Sequence, residues 1–415
     1  MKKLGLTVLS AALLMSGAAI AAEKQIVNYW SRHGSSDVAI MQEMAREFNT
    51  ANPDIEVKLQ FLTWGGAYYG KVRSSILAGN PPELFDVAAY APPMFYDNVE
   101  SFSKEELAKI GIKLADFVPA AWEAIKYKGR YYGTVNAILP LGLYYNTDMF
   151  KEAGLDPNKP PTNLDEFLAY AKKLTKDTDG DGKIDQWGFM LRNNFVPTPW
   201  IWESILVQSG GSILDESLSK AAFNSKEGRD ALNLMLDFNR KYKIAPPTLS
   251  DTTTAFVAKK VAMVVNGPWN IAGYKGKMAF GTAPMPQFGT KKPAAWSSLD
   301  IYFFPKGLRK DTKKWEATMR FAGWAAGPGG GKYYAQMFLP SLLSVLKGPV
   351  MKDPYMSGFA KAAAANAIYF PQAHKDMQEI YAAIWSNIQG AFAGKMTAEE
   401  ALNKAEEQTN RILSR

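Results

Sequence analysis

The sequence predicts an α/β fold in about two domains, and three observations support this prediction. Short apolar strands alternate with amphipathic helices from Ile26 onward, which favours largely parallel sheets. A length of 415 residues points to about two domains. With 47% hydrophobic and 21% charged residues, the chain has the apolar material of a globular protein with a packed core.

Residues 1–22 have the pattern of a cleavable signal peptide. Lys2 and Lys3 precede an apolar stretch, and the string Ala19-Ile20-Ala21-Ala22 supplies small residues at its exit. A membrane anchor needs about 20 uninterrupted apolar residues with different flanks. We therefore expect a soluble mature chain that begins near Ala22 or Glu23 and resides in the periplasm. Without a cysteine, no lipid anchor is expected.

The composition excludes several classes of function. The chain has no cysteine, which excludes thiol catalysis, zinc–thiolate sites and disulfides. The net charge is +8, but the basic residues are scattered singly or in pairs such as Lys259-Lys260, which argues against nucleic-acid binding. The two histidines, His33 and His374, offer little for histidine-based catalysis.

The predicted elements begin with a β-α-β-α-β unit. Its strands are residues 25–30, 55–62 and 83–90, and the first helix starts behind Ser35 or Ser36. The second strand alternates apolar and charged residues, as a strand with one buried face does.

Similar signals continue to the end of the chain. A capping box of Asn163 and Glu166 begins one helix, and another of Thr397 and Glu400 begins the last. The Pro- and Gly-rich residues 281–295 are typical of a connection between lobes. The other predicted elements are a hairpin at 127–135, strands at 141–146 and 261–265, and a helix at 225–241.

Several strings resemble one family, the extracellular sugar-binding proteins of bacterial ABC importers, which includes maltose-binding protein. They span the mature chain in the family's order. The strings are LAGNPPELFDV (77–87), LYYNTDMFKEAGLD (143–156), PPTNLDEFLAYAKKLT (160–175), FVAKKVAMVVNGPWNI (256–271), GTAPMP (281–286) and GAFAGKMTAEEALNKAEEQTNRIL (390–413).

The resemblance implies a two-lobe periplasmic-binding-protein fold of type II, with ligand held in the cleft and closure by hinge bending. The first lobe is expected to hold residues 23–135 plus 287–340, and the second 136–286 plus 341–415. The chain is expected to cross between lobes near Asn136, Pro284 and Leu339. The implied function is to bind a carbohydrate as a monomer and deliver it to a membrane permease.

A sugar presents apolar C–H faces and a ring of hydroxyls, so its site needs aromatic platforms and polar groups. Trp64 lies beside two glycines that allow close approach of the backbone, although a packed tryptophan also fits there. By the resemblance, Trp269 in NGPWN stacks on a sugar ring, and Tyr90 replaces a polar contact. The expected ligand-binding residues are Trp30, Arg32, His33, Trp64, Tyr90, Asn136, Trp200, Trp269, Ser298, Asp300, Tyr369 and Tyr381.

Trp200 and Trp202 are two residues apart in a predicted helix. Residues with this spacing do not share a helix face. We therefore expect one of the two in the core and the other toward the cleft.

The string DTDGDGKIDQWG has the spacing of an EF-hand-like calcium loop. The twelfth position is Gly188 where a bidentate Glu is usual, so the pattern is incomplete and a solvated Asp-Gly turn is the alternative. We expect a structural calcium and no cofactor for function. The expected metal-site residues are Asp177, Asp179, Asp181, Lys183 and Asp185.

Two other functions remain open. An exported carbohydrate-active enzyme needs two carboxylates across the scissile bond, and Asp86 and Glu203 are candidates, but no catalytic motif is present. A binder of an anionic sugar or glycerol phosphate needs cations, for which Arg32, His33 or Arg192 are candidates.

Overall fold

A computed structural model describes residues 24–192, 197–248 and 251–415. The predicted signal peptide lies outside the described residues. The strands are β1 (Gln25–Ser31), β2 (Ile55–Phe61), β3 (Leu84–Val87), β4 (Ser101–Phe102), β5 (Lys126–Tyr127), β6 (Arg130–Tyr132), β7 (Thr134–Pro140), β8 (Gly142–Asn146), β9 (Trp187–Phe189), β10 (Val261–Asn266), β11 (Phe280–Pro284), β12 (Ala295–Phe303), β13 (Leu339–Pro340) and β14 (Ile368–Tyr369).

Helices alternate with these strands. They are α1 (Ser35–Ala51), α2 (Gly66–Leu77), α3 (Lys104–Lys109), α4 (Pro119–Glu123), α5 (Thr147–Glu152), α6 (Leu164–Leu174), α7 (Thr198–Gln208), α8 (Lys226–Arg240), α9 (Thr252–Val257), α10 (Ile271–Tyr274), α11 (Thr312–Ala326), α12 (Pro328–Met337), α13 (Leu343–Leu346), α14 (Ser357–Ala364), α15 (Met377–Phe392) and α16 (Ala398–Leu413). In the described part of the chain, none of them is both long and apolar enough to cross a bilayer.

The larger sheet has the strand order β13-β7-β12-β3-β1-β2, with β14 paired to β12. Strand β1 is parallel to β2 and β3, so these three strands end at the same edge. Strand β12 is antiparallel to β3 and β7. Helices α1, α11 and α12 pack on this sheet and bury its apolar face.

The smaller sheet has the order β11-β8-β10-β9. Strands β9 and β10 are parallel, whereas β8 is antiparallel to both of its neighbours. Helices α6, α9 and α14 pack against it. A third, short sheet has the order β4-β6-β5.

The expectation of largely parallel sheets is wrong, because both sheets are mixed. The reason is the way the chain passes between them. Strand β7 ends in the larger sheet at Pro140, and after Leu141 the chain runs as β8 in the smaller sheet. Strand β11 ends at Pro284, and β12 brings the chain back. On its return, β12 pairs antiparallel with β7 and β3.

The passage at Leu141 lies beyond the predicted crossing at Asn136, while the other passage follows Pro284 as expected. Leu339 begins β13, which pairs with β7. The exact lobe boundaries stay a prediction.

Local sequence explains several helix starts. At α16, Thr397 Oγ1 accepts from the Glu400 N–H (3.1 Å) and Glu400 Oε2 accepts from the Thr397 N–H (2.8 Å), which confirms the predicted capping box. At α6, Asn163 Oδ1 accepts from the Glu166 N–H, but Glu166 binds Thr162 instead of Asn163. The predicted box at Asn163 is therefore only half formed.

Candidate ligand-binding site

Four tryptophans meet between the two sheets, and we call Trp64, Trp200, Trp269 and Trp296 the tryptophan cluster. The rings of Trp200 and Trp296 stack in parallel, with centroids 3.8 Å apart and 6° between the planes. Trp200 also meets Trp64 (6.2 Å) and Trp269 (6.1 Å) edge to face. Such contacts stabilise aromatic pairs beyond the burial of their area.

The cluster draws its members from both sheets. Trp64 follows β2 of the larger sheet, and Trp269 lies in the 3-10 turn Pro268–Asn270 after β10 of the smaller sheet. This turn also lies close to α1 and β7 of the larger-sheet half. The carboxyl ends of strands in α/β sheets are where ligands usually bind.

The members of the cluster differ in exposure. Trp200 and Trp296 are buried, at 4% and 1% exposed, whereas Trp64 and Trp269 are half-buried. Gly267 lies directly under the Trp269 ring, where a Cβ atom would come within 2.0 Å of ring carbon Cζ3. A glycine is thus required for Trp269 to take this position. Two rings of the cluster are therefore buried, and the other two, those of Trp64 and Trp269, retain accessible surface.

A set of hydrogen-bonded polar side chains lies beside Trp296, one of the two buried rings of the cluster. The Tyr381 hydroxyl donates to Glu203 Oε2 (2.8 Å), and Trp296 Nε1 donates to the Tyr381 hydroxyl (3.5 Å). The Tyr369 hydroxyl is buried beside Glu203 and Ser204. Burial raises the pKa of Glu203 to about 8, although the Tyr381 hydroxyl opposes the rise.

Tyr90 joins this group from the larger sheet. Its ring meets Tyr381 edge to face at 5.6 Å, and its hydroxyl donates to Gln378 Oε1 (3.0 Å). Ser298 Oγ accepts from the Ala89 N–H (3.3 Å) and so supports the loop that carries Tyr90.

Buried polar atoms near the crossings lack partners within the described residues. Asn136 is 1% exposed, and neither atom of its side-chain amide has a hydrogen-bond partner. It lies in β7 at the bulge where the pairing with β12 shifts between Asp300 and Ile301. Among the residues that the structure describes, the indole Nε1 of Trp200 also has no hydrogen-bond partner. Buried polar groups of this kind need a partner, and a polar ligand can supply one.

A separate group of charges lies at the end of β1, and we call Arg32, His33, Asp86 and Asp300 the ion network. Arg32 Nε lies 3.2 Å from Asp86 Oδ1, and Arg32 Nη2 lies 3.1 Å from Asp300 Oδ1. His33 Nε2 lies 3.3 Å from Asp300 Oδ1, and His33 Nδ1 lies 3.5 Å from Asp37 Oδ2. The Arg32 and His33 side chains are 8% and 2% exposed.

Arg32, His33 and Asp300 thus have partners within the protein, and their contact with ligand stays a prediction. Each charge is opposed by a buried charge of the protein, because isolated charges are too costly to bury. Burial alone lowers the pKa of His33, but Asp300, Asp37 and Asp86 raise it to about 10. Burial alone raises the pKa of Asp300, but His33 and Arg32 hold it below its usual value. His33 is therefore a cation at neutral pH.

Trp30 and Trp202 do not belong to the tryptophan cluster. Trp30 is half-buried in β1, with Lys71 Nζ 5.1 Å from its ring centroid. Trp202 is buried, and its Nε1 donates to the Gly228 carbonyl (3.0 Å). Trp202 is thus a core residue and Trp200 a member of the cluster, and the orientation of Trp200 toward the cleft stays a prediction.

The acidic loop brings its carboxylates together. One oxygen each from Asp177, Asp179 and Asp185 lie within 4.8 Å of one another. Asp177 accepts from the N–H groups of Gly180 and Gly182, both at 2.7 Å, which folds the loop back on itself. Asp181 and Lys183 pair with each other at 3.5 Å, so Asp181 does not join the group of three.

The structure explains why Gly188 occupies the twelfth position of this loop. It lies in β9 against α6, where a Cβ atom would come within 2.0 Å of the Ala171 carbonyl oxygen. A glutamate cannot fit there. The loop therefore lacks its usual bidentate ligand for a steric reason.

The sequence reasoning missed Trp296, the stacking partner of Trp200. Ser298 and Asp300 of the same strand are among the expected residues, whereas this tryptophan is not. The available signal was its position at the start of β12, directly after the Pro- and Gly-rich connection. Glu203 was considered only as a catalytic carboxylate, and its place beside the cluster was not predicted.

Known proteins resemble this chain in sequence and in fold. A family model described as "Bacterial extracellular solute-binding protein" matches residues 34–332. The maltotriose-binding protein of Pyrococcus abyssi is 23% identical over 377 residues, covering 88% of this chain and 76% of the relative. The sn-glycerol-3-phosphate-binding periplasmic protein UgpB of Escherichia coli O1:K1 / APEC is 24% identical over 438 residues, covering 98% and 97%.

Among solved structures, CpMnBP1 with mannobiose bound has a TM-score of 0.74 and 27% sequence identity, covering 93% of this chain and all of that one. The predicted two-lobe α/β fold is confirmed by this likeness. The family consists of binding proteins and not of enzymes. Since the family model covers well over half of its length, the chain belongs to the bacterial extracellular solute-binding protein family.

Proposed function

We propose that this protein is the substrate-binding component of a bacterial ABC carbohydrate importer. It binds a mono- or oligosaccharide in the cleft between its lobes and delivers it to the membrane permease. The observation that carries the proposal is the tryptophan cluster, which joins aromatic rings from both sheets at one place.

The chemistry of the cluster suits a neutral sugar. The half-buried rings of Trp64 and Trp269 offer faces for the C–H surface of a sugar ring. The unpaired Trp200 Nε1 and Asn136 amide offer donors and an acceptor for hydroxyl groups. Relatives named for maltotriose and mannobiose support this ligand class.

An anionic ligand is the second candidate, and Arg192 favours it. This residue follows β9, beside the strand β10 that leads to Trp269. Its Nε has no hydrogen-bond partner within the described residues, and its contact to the half-exposed Asp251 is long, at 3.8 Å. The full-length likeness to UgpB supports the same candidate. The ion network does not, because both of its cations are paired.

The geometry offers no support for hydrolysis. Two catalytic carboxylates must flank one scissile bond. Asp86 belongs to the buried ion network, whereas Glu203 is held by Tyr381 beside the tryptophan cluster. The two carboxylates belong to different groups of residues, so we propose binding without catalysis.

The remaining features of the proposal follow from the same function. A mature chain that has lost residues 1–22 acts in the periplasm as a monomer. Ligand stabilises the closed arrangement of the lobes only through contacts that the open arrangement lacks.

A thermal-shift screen followed by calorimetry tests the proposal. The mature protein is mixed with maltotriose, mannobiose, other neutral sugars, sugar acids and sn-glycerol 3-phosphate. Ligands that bind only the folded state raise the melting temperature by mass action. A shift with a neutral sugar supports the main candidate, and a salt-sensitive shift with anions alone supports the second. Absence of any shift across the panel contradicts carbohydrate binding.

Small-angle scattering tests closure on the same samples. We expect the radius of gyration to fall when saturating ligand is added. An unchanged radius with a ligand that raises the melting temperature would contradict the hinge-bending mechanism.

A further inference from the structure

One face of α7 contacts the chain that returns to the larger sheet. Trp200, Ser204 and Gln208 are spaced four residues apart and so lie on the same face of the helix. Trp200 stacks on the Trp296 ring, and Ser204 Oγ accepts from the Trp296 N–H (2.9 Å). Ser204 Oγ also donates to the Trp200 carbonyl (2.7 Å), so a single hydroxyl joins the two residues of the stack.

Gln208 extends this contact to the chain between β11 and β12, residues 285–294, which we call the connecting segment. Its Oε1 accepts from the N–H groups of Phe288 (2.7 Å) and Gly289 (3.0 Å). Its Nε2 donates to the Ala294 carbonyl (2.8 Å). The Gln208 backbone carbonyl accepts from the Lys291 N–H (2.9 Å).

These bonds are made out of contact with water, because Gln208 is 1% exposed. Buried backbone groups without partners are costly, so one side chain satisfies much of the connecting segment. Gly289 allows the close approach, since a Cβ atom there would lie 2.6 Å from the Gln208 backbone carbon. The connecting segment is thus held against α7 by the hydrogen bonds of Gln208 and by the close approach that Gly289 permits.

We propose that Gln208 is a positioning residue for ligand binding. It fixes the connecting segment on α7, and the segment then delivers Trp296 onto Trp200 before any ligand arrives. This inference rests on the proposed function, because it assigns the stacked pair to the sugar site. A preassembled ring pair removes an ordering cost that the ligand would otherwise bear.

The decisive variant is Gln208→Leu, which removes the side-chain hydrogen bonds and keeps an apolar side chain. Two measurements need no ligand: amide hydrogen exchange at Phe288 and Gly289, and the near-ultraviolet circular dichroism of the stacked tryptophans. A Trp200→Phe variant identifies the part of the spectrum that belongs to the stack. We expect Gln208→Leu to lose exchange protection and most of that spectral component.

Asn49→Leu is the matched control. Asn49 also bonds the backbone of a neighbouring strand, with Oδ1 accepting from the Val57 N–H (2.8 Å) and Nδ2 donating to the Val57 carbonyl (3.3 Å). It lies in α1, outside the tryptophan cluster. We expect it to lower stability and leave both ligand-free signals intact.

Affinity for maltotriose, or for mannobiose if maltotriose fails to bind the wild type, supplies the third measurement. We expect Gln208→Leu to weaken binding about tenfold, and Asn49→Leu to leave it unchanged. If the wild type binds neither sugar, the proposed function fails for these ligands, while the two ligand-free signals still decide the role of Gln208.

A folded Gln208→Leu protein with wild-type exchange protection and spectrum overturns the proposal. If that variant does not fold, Gln208→Glu replaces it. A carboxylate cannot donate to the Ala294 carbonyl, whereas a protonated carboxyl group can. Because Glu203 beside the stack also titrates in this range, the signal is compared with that of the wild type at each pH. Relative to the wild type, the stacked-tryptophan signal should be recovered at pH 5 and lost at pH 9, and a ratio independent of pH would contradict the proposal.

Discussion

The tryptophan cluster and the ion network both include residues at strand ends, yet the ion network sets each charge against an opposite charge, whereas the cluster consists of uncharged rings. In the ion network, each charge of Arg32, His33 and Asp300 meets an opposite charge at 3.1 to 3.5 Å. In the cluster, two rings stay half-buried and the Trp200 indole N–H has no hydrogen-bond partner in the described part of the chain. A region with its partners supplied internally maintains the fold, whereas one with groups left over can bind a ligand.

Removing a carboxylate from the ion network has the largest expected effect. Asp300→Ala leaves Arg32 and His33 buried with less opposing charge, which should lower the free energy of unfolding by about 3–5 kcal/mol. Urea denaturation measures the change. The control is Glu43→Ala in an exposed pair with Arg46, which should change stability by less than about 1 kcal/mol. Near-wild-type stability of Asp300→Ala would show that the network is not structural.

The raised pKa of Glu203, which lies beside the cluster, predicts that the stability of the protein depends on pH. Its pKa is about 8 in the folded protein and ordinary, near 4.5, in the unfolded chain. Between these values the folded state binds more protons, so stability is full below pH 4.5 and falls as pH rises to about 8. Glu203→Gln should flatten this slope in urea titrations at several pH values. Exposed Glu123→Gln serves as the control, and an unchanged slope in Glu203→Gln would assign the loss to another group.

The raised pKa of His33 predicts a loss of stability in a higher pH range. Its pKa is about 10 in the folded protein against an ordinary value near 6.5, so its contribution is full below pH 6.5 and is lost as pH rises through 10. His33→Gln should lower stability at pH 7 and reduce the further loss between pH 8 and 10. A variant that titrates like the wild type in that range would contradict the assignment of charge to His33.

Trp269→Ala tests whether the tryptophan cluster binds ligand. Because this ring is half-buried, its removal should cost binding more than folding, weakening the affinity for the sugar found by the screen by about 10- to 100-fold. Calorimetry measures the affinity and urea denaturation the stability. Trp315→Ala is the matched control, since Trp315 is another half-buried tryptophan, stacked on Phe102 away from the cluster. Equal losses of affinity in both variants would remove Trp269 from the site.

The acidic loop, whose grouped carboxylates are exposed or half-buried, has the smallest expected effect. If Asp177, Asp179 and Asp185 hold calcium, added calcium should raise the melting temperature by a few degrees and Asp179→Asn should abolish the shift. Asp215→Asn is the control, because Asp215 accepts similar hydrogen bonds from Ser219 and Lys220 and does not belong to the group of three carboxylates. If calcium does not shift the melting temperature of the wild type, the loop is an ordinary Asp-Gly turn.

Local pattern determined much of the fold. The strands at 25–31 and 55–61 and the helix at 226–240 follow apolar periodicity and capping residues that act within a few residues of each other. The passage between sheets after Pro284 was also readable, because Pro and Gly interrupt both strand and helix patterns there. The antiparallel pairing of β7 and β12 was not readable, since strand direction depends on which sheet a returning strand joins.

The sequence by itself determined the family, the alternation of strands and helices, and a surplus of aromatic residues at strand ends. Only the tertiary structure decided which of these residues act together. Arg32 and His33 look available in sequence, but distant Asp86 and Asp300 neutralise them. Trp200 and Trp296 are separated by nearly one hundred residues and stack because α7 holds the connecting segment. Charge pairing and ring stacking depend on distances of 3 to 4 Å, which local patterns do not encode.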